Sequence, residues 1–258
     1  MAKITLIGSG KTATALSKAL SLAGHEFVQV WSRSEAAASD LAKKINASAT
    51  TSLDTINADA DIYIIAVRDD VIEEVASKLK IGDKTLAHTS GIKSKEVLKS
   101  ASRHYGVFYP FVSMTKESET DFKSALMMIE GSDAATIDTL NSLAHTISDN
   151  VKMVHENQRQ SLHLAAVFAH NFTNHMYVIA EKILSDKGLR FDELRPLIAA
   201  HIATVQTQSP SALQTGPAIR HDSTTIDAHL HLLDQHDDFK RLYLTMTEAI
   251  QQWHKDKK

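Results

Sequence analysis

The 258-residue sequence contains no cysteine. That absence removes disulfide frameworks, thiolate nucleophiles and cysteine-ligated zinc, and it is compatible with a reducing compartment. Four prolines and nine glycines are too few for long disordered stretches, and no low-complexity linker or internal repeat interrupts the chain. No apolar run approaches the roughly 20 residues that cross a bilayer. The opening Met1-Ala2-Lys3 runs straight into an apolar segment, without the basic, apolar and small-residue order of a signal peptide. A cytoplasmic chain with no membrane partner is the expectation. The charges lack a dominant sign as well: 28 Lys and Arg against 31 Asp and Glu give a net charge of -3, which offers nucleic acid no basic field. What is present is an ordinary globular composition, 43% hydrophobic, in a chain long enough to bury two modest cores.

The segment from Leu6 to Leu16 resembles two phosphate-binding templates at once. A P-loop needs glycine four residues before its Gly-Lys-Thr, and that position is Thr5. The dinucleotide template asks for a buried strand, Gly-x-Gly-x-x-Gly/Ala, then a helix. Ile4 to Ile7, Gly8-Ser9-Gly10-Lys11-Thr12-Ala13 and Ala15 to Ala23 supply these in order. Gly8 permits the tight turn, Gly10 admits a pyrophosphate to the backbone, and Ala13 allows close helix-strand packing. A second strand, Glu26 to Trp31, ends where a carboxylate would hold the ribose 2'-hydroxyl of NAD. Here the residues are Ser32, Arg33 and Ser34, which suit a 2'-phosphate, so the expected cofactor is NADP (NADPH). Ser34 is equally placed to cap a helix beginning at Glu35.

The rest of the chain alternates before it turns wholly helical. A helix is expected over about 35–44, and Asp61 to Val67 reads as a strand buried on both faces. Arg68-Asp69-Asp70 then opens a helix continuing to Leu79. Lys84 to His88 reads as a strand followed by Ser90-Gly91, with a short helix near 94–100. Val107 to Met114, broken by Pro110, reads as an edge strand. Leu126 to Ile129, a helix over about 133–145 and Val151 to Val154 complete an α/β, doubly wound Rossmann domain spanning residues 1–154. Residues 155–258 read as an all-α domain, with helices over about 156–187, 191–207, 226–235 and 239–255. Its generous apolar surface suits burial in a second copy, so a homodimer is expected.

With both halves in view, the chain resembles the superfamily of NADP-binding dehydrogenases that join a Rossmann domain to a helical domain like that of 6-phosphogluconate dehydrogenase. Pyrroline-5-carboxylate reductase and ketopantoate reductase are relatives of this kind. More closely, it resembles the bacterial family in which a Rossmann-like domain precedes a DUF2520 domain. The resemblance is carried by the Gly8 to Ala13 turn, Ile64 to Asp70, His88 to Gly91, Ala165 to Tyr177 and Thr215 to Asp222. It implies that Ala66, Val67 and Arg68 border the cofactor and that Ser90 and Gly91 border the substrate. The hydroxyacid dehydrogenase branch carries a catalytic Lys four residues before an Asn on the first long helix. If Asn171 is that Asn, Val167 stands in the Lys position, and another acid or base must serve.

His163, Val167, His170 and Asn174 share one face of a regular helix, with Asn171 and His175 on the adjacent stripe. The catalytic candidates are therefore His170, Asn171 and Ser90. Hydrogen bonding across an interface is the competing role for that stripe. No Tyr-x-x-x-Lys, Gly-x-Ser-x-Gly or His-Glu-x-x-His pattern occurs. The cluster His221, Asp222, Asp227, His229, His231, Asp234 and His236 lacks metal-ligand spacing, and no metal is expected. The expected function is NADP-dependent reduction of a small carbonyl or imine. The alternative is a cofactor-binding sensor without catalysis.

Overall fold

The computed structural model describes residues 1–114 and 120–255. It divides into two compact units, 1–167 and 168–258. The division falls later than the 154/155 boundary read from the sequence, because the first eleven residues of the long helical segment pack with the sheet.

Unit one is built on an eight-stranded sheet in the order β3-β2-β1-β4-β5-β6-β7-β8. The strands are β1 (Lys3–Ile7), β2 (Glu26–Trp31), β3 (Ser48–Thr50), β4 (Ile62–Ile65), β5 (Gly82–His88), β6 (Ser102–Phe111), β7 (Leu126–Gly131) and β8 (Asn150–Met153). β1 to β6 run parallel, β7 reverses against β6, and β8 runs parallel to β7. Helices α1 (Lys11–Leu22), α2 (Glu35–Lys44), α3 (Ile72–Ser77) and α4 (Ala134–His145) join the strands, and α5 (Glu156–Ala166) follows β8.

Strand periodicity explains why the sheet needs cover on both faces. Ile4 and Leu6 of β1, with Ile62 and Ile64 of β4, pack against Leu16 and Leu20 of α1. Ile7, Tyr63 and Ile65 alternate with them and pack against Ile72 and Val75 of α3 and against Leu98. Ser34 caps α2 by accepting from the Ala37 N–H, and Asp133 caps α4 through Thr136. Gly24, at φ 88°, ends the α1 segment in a conformation that glycine adopts at no steric cost.

The segment containing Pro110 is not an edge strand, as its proline suggested. β6 lies between β5 and β7. Its ladder with β5 ends at the His88–Val107 pair, so Pro110 lies beyond that ladder and pairs only with Met127 on β7. The missing N–H therefore breaks nothing. The expected helix near 94–100 is a single 3-10 turn, Lys95–Leu98.

Unit two contains α6 (Thr173–Ser185), α7 (Arg195–Val205), α8 (Ser223–Leu232) and α9 (Asp237–Lys255). The expected continuous helix over 156–187 is interrupted by a π-helical turn at Val167–Phe172, where the Thr173 hydroxyl donates to the Phe168 carbonyl five residues back. Asp222 caps α8, its carboxylate accepting from the Thr225 N–H and hydroxyl. His229 Nδ1 and the Tyr243 hydroxyl, 2.9 Å apart, join α8 to α9, and His236 bonds Asp186. Among the described residues of this unit only Ala218, Leu233 and Thr247 are buried. No described helix is long and apolar enough to cross a membrane.

Candidate functional site

The turn between β1 and α1 is shaped for an anion. Gly8 takes φ 133°, and a Cβ there would lie 2.2 Å from the Ala66 carbonyl oxygen, so the turn closes against the end of β4 only with glycine. The Gly8 N–H donates to the Trp31 carbonyl at 2.8 Å, which also locks the turn to the end of β2. At Gly10 the situation is opposite: a Cβ would meet no atom within 4 Å. That open side faces a cavity of about 580 Å³. Gly10 caps α1 without any side-chain hydrogen bond, and the first helical turn carries no acidic residue. The N–H groups at the start of α1 and the positive end of its dipole are left for a ligand.

Gly8, Ser9, Gly10, Lys11 and Thr12 line this cavity on one side, and Ser32, Arg33, Ala66, Val67 and Arg68 line it on others. Ala13 lies beneath, fully buried, where its small side chain lets α1 sit on the sheet. Lys11 and Arg33 make no hydrogen bond or ion pair with another described residue, so two cations are available at the cavity wall. Ser32 is buried and its hydroxyl lies 2.8 Å from that of Ser9, which ties the glycine turn to the end of β2. Ser34 serves as the cap of α2. Arg68 borders the cavity, while its guanidinium forms a two-pronged, exposed pair with Asp70 at 3.0 and 2.9 Å.

The cavity's far wall comes from residues that sequence reasoning did not single out. Leu53, Val71 and Val75 are apolar faces suited to a flat ring, and Trp31 supplies another while its Nε1 donates to the Thr51 carbonyl. Glu74 and Lys78 also line it and pair at 2.6 Å. The hydrogen bond from Lys78, with the further field of Arg33, holds the Glu74 carboxyl below its ordinary range.

The loop after β5 is rigidly built. His88 is fully buried: its Nδ1 accepts from the Ser90 N–H at 3.1 Å, and its Nε2 donates to the Ser94 carbonyl at 3.2 Å. Burial pushes the imidazole down to about 4, against a smaller upward effect of the Ser94 bond, and the nearby Arg159 charge adds to the lowering. Ser90, a catalytic candidate, is buried, and its hydroxyl accepts from the Ile92 and Lys93 N–H groups, so its visible work is to turn the loop. From α5, Arg159 donates to the Lys93 carbonyl and Gln160 to that of Ile92. Arg159, fully buried, also donates to Glu130 on β7 at 2.7 Å, and Lys95 meets the other Glu130 oxygen at 2.9 Å.

The other two catalytic candidates, His170 and Asn171, lie in the π-helical turn and are exposed. The turn removes the regular spacing that would align them with His163. A wide turn of this kind often marks a functional position, because it redirects side chains that a regular helix would hold elsewhere.

Comparison with known proteins is consistent along the chain. Residues 3–90 match the family described as NADP oxidoreductase coenzyme F420-dependent, and residues 125–250 match the domain of unknown function DUF2520. No curated protein sequence matches. Among solved structures, a candidate NADP oxidoreductase from Bacteroides fragilis is 39% identical, with 97% of this chain and 98% of that one covered and a TM-score of 0.90. An imine reductase from Myxococcus stipitatus in complex with NADP+ is 17% identical, with 98% and 94% covered and a TM-score of 0.69. A reductive aminase from Aspergillus terreus in complex with NADPH and ethyl-5-oxohexanoate is 15% identical, with 99% and 94% covered and a TM-score of 0.76. The last two share the fold.

Proposed function

We propose the function from one premise: this chain belongs to the NADP oxidoreductase family in which a Rossmann-type domain is followed by a DUF2520 domain. It is an NADP-dependent oxidoreductase, and we propose that its substrate is a small carbonyl or imine compound. The observation that carries the cofactor site is the uncapped start of α1 opening onto a cavity whose wall presents two unpaired cations, Lys11 and Arg33. A dinucleotide pyrophosphate suits the first feature and a ribose 2'-phosphate the second. The bare side of Gly10 is the space a phosphate needs, so the residues fit the group.

In this reading Gly8, Ser9, Gly10, Lys11, Thr12 and Ala13 form the pyrophosphate cradle. Arg33 pairs with the 2'-phosphate, and Ser32 and Ser34 shape the loop that presents it. Leu53, Val71 and Val75 flank the adenine. Ala66, Val67 and Arg68 lead the cofactor along the carboxyl ends of the strands, where open parallel sheets bind their ligands. When bound, the reduced nicotinamide supplies hydride. The chain contributes position and charge. The imine half of the substrate class is supported by neighbours of the same fold that carry the names imine reductase and reductive aminase.

A homodimer through unit two belongs to the same proposal. A helical unit with three buried residues among those described leaves Phe168, Leu197 and Trp253 more than 60% exposed, and such faces gain stability by covering one another.

Calorimetric titration tests the cofactor site. NADPH is expected to bind about tenfold more tightly than NADH, the lower end of what an Arg–phosphate contact contributes, because Arg33 is exposed. Arg33→Ala erases that preference and leaves NADH affinity within about twofold. Equal affinities in the unaltered protein remove Arg33 from the role. A screen of ketoacids, cyclic imines and aldehydes for NADPH consumption tests the substrate class, and silence across it despite tight cofactor binding favours a sensor.

A further inference from the structure

A second polar pair stands two strands along the sheet from the end of β4 that borders the cofactor cavity. The Tyr109 hydroxyl lies 2.9 Å from His163 Nδ1, in a half-buried setting, with the two rings edge to face at 6.0 Å. Tyr109 lies near the end of β6, past the His88–Val107 pair that closes the β5 ladder. His163 is on α5. Gly91 lies directly beneath them: a Cβ there would come within 2.6 Å of His163 Nδ1 and 2.9 Å of Tyr109 Cζ. The loop after β5 is thus cut away to seat this pair. The same loop is tied to the strand whose end reaches the cavity, since the Thr89 N–H donates to the carbonyl of Ile65, next to the lining residue Ala66.

The hydrogen bond decides which nitrogen points outward. Burial raises the Tyr109 phenol above its ordinary range, the Asp69 charge adds to this and Arg159 opposes it, so the phenol keeps its proton and has one to donate to Nδ1. With the phenol as donor, the ring proton of His163 sits on Nε2, which bonds no other described residue.

We propose that His163 Nε2 is the hydrogen-bond and proton donor to the heteroatom of the reducible carbonyl or imine, with Tyr109 as the residue that positions its ring. The inference rests on the reductase reading above. In the step, the carbon–heteroatom π bond opens as carbon gains hydride from NADPH, which is oxidised. The heteroatom takes the Nε2 proton and Nδ1 takes the Tyr109 proton; Nδ1 then returns that proton to the phenolate as water supplies one to Nε2, which restores the starting tautomer. An alkoxide or deprotonated amine is more basic than a phenolate, so the relay runs downhill. It also explains a glycine whose backbone needs no positive φ.

Three variants and two readouts test the pair: His163→Gln, Tyr109→Phe and Gly91→Ala, each checked for NADPH affinity within about twofold of the unaltered protein. In the first readout, nitrogen-15 spectra of the histidine rings, assigned by the signal lost in His163→Gln, are expected to show the Nε2–H form. Tyr109→Phe and Gly91→Ala are expected to mix the two tautomers. In the second, turnover of the compound found in the carbonyl and imine screen is expected to fall at least 100-fold in His163→Gln and about tenfold in the other two. An Nδ1–H ring in the unaltered protein overturns the proposal, as does full turnover in His163→Gln. Unaltered protein that reduces nothing overturns the reductase reading and this role with it, whereas failure of the inference alone leaves that protein active.

Discussion

Acidification should loosen the loop after β5 before it reaches the rest of the sheet. His88 is fully buried, with Nδ1 facing an N–H and Nε2 facing a carbonyl, so only the neutral ring fits its site. A proton on Nδ1 would confront the Ser90 N–H. The ring titrates near 4 in the folded chain against an ordinary 6.5. Because the folded value is lowered, the unfolded chain binds more protons between these two values. The stabilisation is therefore complete above pH 6.5 and is lost as pH falls toward 4. Integrating that difference gives a loss of about 2 kcal/mol between pH 7 and pH 5, and about 3 by pH 4. The assay is urea unfolding at pH 7 and pH 5 of the unaltered protein and of His88→Asn, with the variant removing the background shared by all other groups. The unaltered protein is expected to lose about 2 kcal/mol more than the variant. Parallel losses in the two would show that His88 takes its proton without disturbing the fold, and would refute the account of its burial.

Gly10→Val should weaken NADPH and NADH alike, by tenfold or more in titration calorimetry, since the added side chain enters the open side of the cradle; a selective loss of one cofactor would contradict the cradle. Arg159→Met strands the buried Glu130 with Lys95 alone, and should cost about 3 kcal/mol, or roughly 6 to 12 °C of melting temperature. Adding Glu130→Gln should restore part of that loss in a double-mutant cycle, and strict additivity would show that the two are not coupled. Light scattering at micromolar concentration is expected to give twice the 28.4 kDa chain mass; a value at the monomer mass removes the proposed dimer.

Much of the candidate cofactor cavity was legible because its lining rests on backbone chemistry. The Gly8 to Ala13 turn and the absence of a carboxylate after Trp31 are constraints that a dinucleotide imposes on residue type, and they stand next to apolar runs whose length marks buried strands. The short edge strand β3, three small residues long, carried no such mark. The α3 wall was hidden for another reason: Glu74 and Lys78 satisfy each other, and a satisfied exposed pair looks the same whether it faces solvent or a ligand. The two adjacent stripes that carried His170 and Asn171 assumed 3.6 residues per turn throughout. No composition signal announces a π turn, so every side chain after Val167 departed from that spacing. Tyr109 was masked by Pro110, which made its strand read as an edge.

The Glu130–Arg159 pair acts as a ruler. Four residues of α5 separate Arg159 from His163, a climb of about 6 Å. On the sheet, Glu130 sits opposite Val107, two residues before Tyr109, a distance of about 6.6 Å along β6. One helical turn is thus gauged against two strand residues, with an ion pair at the lower mark and the Tyr109–His163 contact at the upper. A single-residue insertion between 159 and 163 would swing His163 by about 100° around the helix. It would part the ring from Tyr109 while leaving the buried charges in place.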